Sequence, residues 1–400
     1  MKKALVAGGI LGILLGYWLF SPDEEWQTQQ KGDTALVTPV LAQEHSSAPN
    51  NGRQLRETPI TRAVAQVSPA VVGINVLQVR RYVQKAPFII DDPLWRAIMP
   101  DLFRDRIIEQ RVKALGSGFL ISADGYIVTN EHVVHNAVEV VVTMTDGTRH
   151  QAEIVGTDRV TDVALLKIEG EQFPYIQMGN SDDLLVGEWS IALGNPFGLF
   201  ELSNEPIVTV GVVSAIHQDW GRTEDGRLYL DMIQTSAAIN HGNSGGPLVN
   251  VLGEVIGVNT FIYTGSQYNE GFVGIGFAIP INKVKEIITA IREKGGINRD
   301  WWLGILKVQD VNPFMMAALG LAVDYGAIIA QIERRSPAYR AGLRPEDVII
   351  ALNGKTIRSA DDLIHLLENM DLKVGDQLTF TVMRGKKKLT VVVTLEAMKQ

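Results

Sequence analysis

The chain has 400 residues, is 46% hydrophobic and 20% charged, carries no cysteine, and has a formal net charge of −8. That length exceeds one ordinary core and predicts two or three domains of roughly 100 to 200 residues each. An acidic balance with no basic stripe excludes a nonspecific nucleic-acid binder, and the lack of cysteine excludes a disulfide framework, a thiolate nucleophile and a thiolate metal site.

After Met1-Lys2-Lys3, residues 4–20 are uncharged and mostly apolar, about the 17 needed to cross a bilayer as a helix. Lysines before the run and Asp23, Glu24 and Glu25 after it place the N-terminus in the cytoplasm and the remainder outside. The rival is a cleaved signal peptide, but the run exceeds the usual apolar region of about 7 to 15 residues and no small-x-small site follows directly. Residues 1–20 are therefore expected to be a transmembrane anchor. Residues 21–58 are polar and predict a disordered linker, which as a flexible coil reaches roughly 30 to 40 Å.

Strand signals dominate residues 70–280, with β-branched runs punctuated by turn dipeptides such as Asp124-Gly125 and Asp146-Gly147. Two six-stranded barrels divided near residue 180 fit this pattern. Residues 82–113 interrupt it with three prolines and then predict a short helix over 102–112. The spacing of Val284, Ile287, Ile288 and Ile291, stopping at Gly295, predicts an amphipathic helix that closes a unit spanning residues 59–295. Residues 301–396 read as a separate unit, with strands at 327–332, 347–352, 377–383 and 389–395, and a helix at 360–370. The run Lys386-Lys387-Lys388 follows Gly385 as a solvated hairpin tip.

The chemistry centres on Gly242-Asn243-Ser244-Gly245-Gly246-Pro247, because a serine held between glycines is a way to present a nucleophile. Serine is a weak nucleophile near neutral pH and needs a base, and the base needs a carboxylate to hold its tautomer. His132, in Thr129-Asn130-Glu131-His132-Val133-Val134, and Asp162, in Thr161-Asp162-Val163-Ala164-Leu165-Leu166, supply both in the order His, Asp, Ser. His135, His150, His217, His241 and Asp158 lack such surroundings. The backbone N–H groups of Gly242 and Ser244, with Asn243 between them, are the expected oxyanion hole. Ala238 and Ile239, with Phe261 and Ile262 opposite, form an expected primary pocket without a buried charge, which predicts cleavage after small or medium aliphatic residues.

Gly116-Ser117-Gly118-Phe119, the His132 and Asp162 hexamers, Gly194-Asn195-Pro196-Phe197-Gly198 and the Ser244 hexamer, in this order, resemble the HtrA family of serine proteases over residues 60–396. The resemblance implies a mainly β fold: a chymotrypsin-like double six-stranded β-barrel protease domain at 59–295, then an α/β PDZ domain at 301–396. In that domain Trp302-Leu303-Gly304-Ile305 looks like the loop that holds a peptide's terminal carboxylate. One PDZ domain behind an anchor is similar to the DegS branch. That branch implies an ATP-independent homotrimer on the bacterial inner membrane, with both domains in the periplasm. There, C-terminal peptides of misfolded outer-membrane proteins bind the PDZ domain and an anti-sigma factor is cut. No metal or other cofactor is implied. A broad quality-control protease is the enzyme alternative, and a holdase that only binds unfolded chains is the non-enzyme one. Two positions depart from the family pattern: Ser236 stands where an Asp is usual, and residues 218–229 form a longer regulatory loop. Arg222 and Arg227 in that loop are expected to be solvated rather than sensors.

Overall fold

The computed structural model describes residues 51–84, 106–195, 205–240, 242–262 and 274–398. The chain divides into two units, Met1–Leu55 and Arg56–Gln400. In the first, Asn51–Gln54 forms a single helical turn, so the last part of the expected linker has local order. Residues 21–50 and the expected membrane helix at 4–20 lie outside the described residues. Among the described residues no helix is long and apolar enough to cross a membrane.

The second unit opens with α1 (Pro59–Val67). The Thr58 hydroxyl accepts the Thr61 N–H at 3.2 Å and Thr61 Oγ1 accepts the Thr58 N–H at 2.8 Å, which satisfies two otherwise orphaned donors reciprocally. The first barrel follows, built from β1 (Val71–Gln84), β2 (Arg106–Leu120), β3 (Tyr126–Thr129), β4 (Ala137–Thr143), β5 (Arg149–Asp158) and β6 (Val163–Ile168). It closes in the order β1-β2-β3-β6-β5-β4, which leaves no unpaired sheet edge. Its interior is filled by side chains such as Ile74, Phe119, Ile127, Val142 and Leu165, each at most 1% exposed.

The helix expected over 102–112 does not form. From Arg106 onward the segment is strand, and its register with β1 is continuous from Val71↔Phe119 to Gln84↔Arg106. Tertiary pairing overrides local helix propensity here, because the partner strand lies well upstream and no local signal announces it.

Across the residue-180 divide come β7 (Trp189–Gly194), β8 (Ile207–Gln218), the short ribbon of β9 (Gly221–Arg222) and β10 (Leu228–Tyr229), then β11 (Met232–Thr235), β12 (Pro247–Val249), β13 (Val255–Ile262) and β14 (Gly276–Pro280). All but the ribbon close a second barrel in the order β11-β14-β13-β12-β7-β8. Helix α3, after the one-turn α2 (Glu131–Val134), is Ile281–Lys294. Its buried stripe of Ile281, Val284, Ile287, Ile288 and Ile291 joins an apolar cluster that contains residues of both barrels. Gly295 ends it at φ 73°, a left-handed value that glycine adopts without a side-chain clash.

The last domain contains β15 (Trp301–Trp302), β16 (Ile305–Asp310), α4 (Pro313–Leu319), β17 (Ala327–Ile332), α5 (Pro337–Ala341), β18 (Val348–Leu352), β19 (Lys355–Thr356), α6 (Ala360–Glu368), β20 (Gln377–Arg384), β21 (Lys387–Thr394) and β22 (Glu396–Ala397). The sheet runs β16-β17-β18-β20-β21, so β16 is an edge strand. Its core, around Leu303, Ile329, Ile349, Leu363, Phe380 and Val393, is separate from that of the barrels. The lysine run sits at the exposed β20–β21 hairpin, as its glycine signalled.

Polar bonds join the two cores. Arg299 forks onto Asp158 at 2.8 and 2.7 Å and also reaches Asp371, which pairs with Lys283. Asp158, the other carboxylate near the expected Asp162 site, is thereby occupied at a domain junction rather than beside His132.

Candidate active site

His132 lies on α2, which starts immediately after β3, and Asp162 lies on the turn between β5 and β6. The Asp162 carbonyl accepts the Glu131 N–H at 3.2 Å and the Asn130 Nδ2 at 2.9 Å, docking the helical turn onto the aspartate loop. The Asp162 backbone is left-handed, at φ 59°, a conformation that aspartate tolerates better than most residues. The fully buried carboxylate accepts the His132 N–H at 2.9 Å and meets His132 Nδ1 at 2.8 Å. A proton on Nδ1 leaves Nε2 as the basic nitrogen, the tautomer that general-base catalysis requires.

Three more donors converge on Asp162: Thr260 Oγ1 at 2.9 Å, the Tyr229 hydroxyl at 3.1 Å and Arg227 Nε at 3.2 Å. Burial alone pushes this carboxyl up. The hydrogen bonds and charge of His132, together with Arg227, outweigh burial and hold it below the usual carboxylate range. Burial likewise disfavours the Arg227 charge, yet Asp162 and Glu131 raise its proton affinity above normal. Tyr229 is pushed upward, first by burial and then by the neighbouring Asp162 charge, so it stays a neutral donor.

Ser244 shares one cleft of about 370 Å³ with His132, Gly242, His135, Leu115 and Arg227. Its hydroxyl donates to the Thr260 carbonyl at 2.9 Å, and among the described residues no hydrogen bond joins it to His132. Thr260 therefore touches both ends of the candidate constellation. The loop carrying Ser244 is fixed from the first barrel: the Ser117 N–H donates to the Ser244 carbonyl at 2.9 Å and the Ser117 hydroxyl to the Gly242 carbonyl at 2.5 Å. Gly242 has φ 96°. The Asn243 N–H donates to the Asn240 carbonyl at 3.0 Å, so Asn243, placed in the expected oxyanion hole between the two donors, does not itself donate there. Among the described residues no hydrogen bond is made by the Gly242 or Ser244 N–H group.

Neither Ala238 nor Ile239 lines the cleft that Ser244 shares with His132. Ala238 is half-buried, with its carbonyl accepting the Thr209 hydroxyl at 2.7 Å, whereas Ile239 is 1% exposed in the second barrel's core. Ile239 is thus interior packing, because its side of the strand-like segment lies against the β14 glycine, Gly276. Phe261 and Ile262 end β13, in register with Phe277 and Gly276.

In the last domain, Trp302 pairs with Glu396 on β22, Leu303 is buried, and Ile305 begins the edge strand β16. α6 starts beside that edge, where the Ala360 N–H donates to Asp310 Oδ1 at 2.7 Å. An extended peptide laid along β16 would extend the sheet with α6 as the facing wall, and Leu306 and Ile364 are exposed on those two elements. Gly304 has φ 86°, and a Cβ there would stand 2.0 Å from Ser336 Cβ. Gly304→Ala is expected to cost about 1–3 kcal/mol from backbone strain alone and to weaken binding of C-terminal peptides. Melting temperature and fluorescence anisotropy with a labelled peptide measure the two effects, and unchanged values for both would show that the loop tolerates the substitution.

Residues 116–258 match the trypsin-like peptidase domain family and residues 303–395 the PDZ domain family. A protein named probable periplasmic serine endoprotease DegP-like from Pseudomonas fluorescens (strain Pf-5) is 41% identical over 376 residues, covering 91% of this chain and 75% of its own length. This chain is a serine endoprotease of the HtrA family. A protein with the same description from Chlamydia trachomatis is 43% identical over 287 residues, covering 72% of the chain and 55% of the relative. Among solved structures, the HtrA-type protease AlgW with a decapeptide superposes at a TM-score of 0.59 with 32% identity, covering 86% of this chain and 100% of that one. A substituted form of AlgW with a decapeptide gives a TM-score of 0.65 with 32% identity over 86% and 98% of the two chains.

In this HtrA-family protease one of the two loop arginines departs from the expectation: Arg222 is exposed, but Arg227 is not. Arg227 is 8% exposed, with Nη2 on Glu131 at 2.6 Å and Nη1 on Asp225 in addition to its Asp162 contact. Arg222 reaches the last domain, its N–H meeting Asn369 Oδ1 at 2.8 Å and its Nε the Glu368 carbonyl at 2.7 Å. Both sit on the β9–β10 ribbon, whose sequence is polar and gives no sign of its distant partners. Ser117 and Thr260 were likewise without an assigned role. Ser117 stands in the Gly116-Ser117-Gly118-Phe119 motif, its one signal in the sequence.

Proposed function

We propose that Ser244 is the nucleophile, His132 its general base and Asp162 the carboxylate that holds the base. In this reading His132 Nε2 takes the Ser244 proton as the hydroxyl oxygen attacks the peptide carbonyl, and the resulting oxyanion is met by the Gly242 and Ser244 N–H groups. The imidazolium then protonates the leaving amine, and water repeats the sequence on the acyl-enzyme. The observation that carries the reading is the His132 Nδ1 contact with buried Asp162 at 2.8 Å, beside a cleft that also contains Ser244. The proposed domain limits are 1–20 for the anchor, 21–58 for the linker, 59–295 for the protease and 301–396 for the PDZ domain.

The finer reading is a periplasmic protease, single-pass in the inner membrane and homotrimeric, that cleaves after small or medium aliphatic residues. Its PDZ domain takes exposed C-termini of misfolded outer-membrane proteins, and its target is a membrane-associated anti-sigma factor. Support comes from the periplasmic designation of the relatives, from the similarity to AlgW with a decapeptide, and from the Arg222 bridge to the end of α6. A peptide shifts the protease only if it binds the active arrangement more tightly than the resting one. Saturating C-terminal peptide is expected to raise kcat/KM by about 5- to 150-fold, and Arg222→Ala to change that factor. Turnover of a fluorogenic substrate that ignores peptide altogether would sink the sensing reading. The relatives' DegP-like designation favours broad quality control as the second reading, and cleavage across a whole envelope proteome separates one regulatory target from many.

A further inference from the structure

The ribbon that carries Arg222 also places a second, fully charged group against the reaction centre. The Arg227 guanidinium is buried where β10 meets α2 and the Asp162 turn, and it links the carboxylate that holds the base to that of Glu131, with Asp225 as a third, more exposed partner. Nε lies 3.2 Å from Asp162 Oδ1, and Nη2 lies 2.6 Å from Glu131 Oε2. Glu131 is 4% exposed, and its other oxygen meets His135 Nδ1 at 2.5 Å. The charged and titratable groups around His132 are thus Glu131 and His135 on its own helix, Asp162 on the facing turn, and Asp225, Arg227 and Tyr229 on the ribbon.

The packing needed for a stable hydrophobic core does not require this arrangement. His132, Thr260 and Tyr229 already give the Asp162 carboxylate four hydrogen bonds. A guanidinium adds a full positive charge to an oxygen whose negative charge would otherwise act on His132 alone. In a buried site that charge is poorly screened and opposes the second positive charge that forms when His132 accepts the Ser244 proton.

We propose that Arg227 is a positioning residue that weakens His132 as a base by sharing the Asp162 carboxylate, with Glu131 setting how much of the Arg227 charge is felt. The proposal rests on His132 being the general base. It makes the resting strength of that base a property of the β9–β10 ribbon rather than of the triad alone. Because Arg222 ties the same ribbon to the last domain, ribbon displacement withdraws Arg227 from Asp162 and strengthens the base.

The test is the acid limb of the kcat/KM profile, where activity rises as His132 loses its proton. Replacing Arg227 by a neutral residue removes a positive charge, favours the imidazolium, and moves that limb to higher pH. Arg227→Gln is expected to move it upward by on the order of one pH unit. Glu131→Gln removes a negative charge, leaves Arg227 to act on Asp162, and is expected to move the limb the opposite way. Arg227→Lys keeps the charge but cannot span both carboxylates, so its limb falls between wild type and Arg227→Gln. A purely structural role lowers melting temperature or kcat without moving the limb, and unmoved limbs in folded Arg227→Gln and Glu131→Gln overturn the proposal. If Arg227→Gln does not fold, Glu131→Gln alone decides, since its limb must shift downward. An acid limb that persists with near-normal activity in His132→Gln is a separate failure, of the base assignment itself.

Discussion

Ser244→Ala is expected to reduce kcat on a peptide substrate by about 10⁶-fold, the scale on which removal of a serine nucleophile acts in proteases. Its melting temperature is expected to change little, because the Ser244 side chain contributes one hydrogen bond, to the Thr260 carbonyl. Fluorogenic peptide turnover and a thermal melt measure the two effects side by side. Lost cleavage with retained peptide binding is what a protease requires and a holdase does not. Activity within tenfold of wild type would place the nucleophile elsewhere and would remove the reason for assigning His132 its role.

Asp162→Asn is expected to lower kcat by about 10⁴-fold while leaving the cleft nearly isosteric. An amide NH₂ facing His132 Nδ1 makes that nitrogen an acceptor and puts the imidazole proton on Nε2, where the Ser244 proton has to go. The substitution also takes one carboxylate from a guanidinium with two others nearby, so stability falls by less than the roughly 3–5 kcal/mol typical of breaking an isolated buried pair. The pH dependence of stability gives a further readout. A carboxyl held below its usual range in the folded state stabilises the fold above the unfolded value near pH 4 and loses that contribution as pH falls through the folded value. The variant should therefore have a flatter acid side in its melting profile. A variant that keeps wild-type kcat would show that the base needs no carboxylate partner.

The sequence made the barrels legible because their strands are β-branched and end at turn dipeptides, both of which are local signals. Six strands of the first barrel and six of the second fall either side of the residue-180 division. β5 and β11 were less visible, since β5 alternates exposed polar with half-buried positions and β11 spans four residues. The predicted helix over 102–112 failed for the opposite reason: a helix-compatible segment was claimed by a strand that closes in space but not in sequence. The candidate site divides along the same line. His132, Asp162 and Ser244 each sit in a recognisable hexamer, whereas Arg227 is an arginine in a polar loop, 65 residues from Asp162 and 96 from Glu131. The Asn243 result shows how a motif hides geometry, because three consecutive residues look equivalent until one N–H is found facing the chain itself.

Asp162 belongs to the first barrel, while Arg227, Tyr229 and Thr260, which grip its carboxylate, all come from beyond the residue-180 division. The reactive centre is consequently a seam stitched between the two halves rather than a pocket owned by either. Were that seam to part, His132 and Asp162 would stay together on the first half while the Ser244 hydroxyl left with the second, and cleavage would stop with the base still anchored.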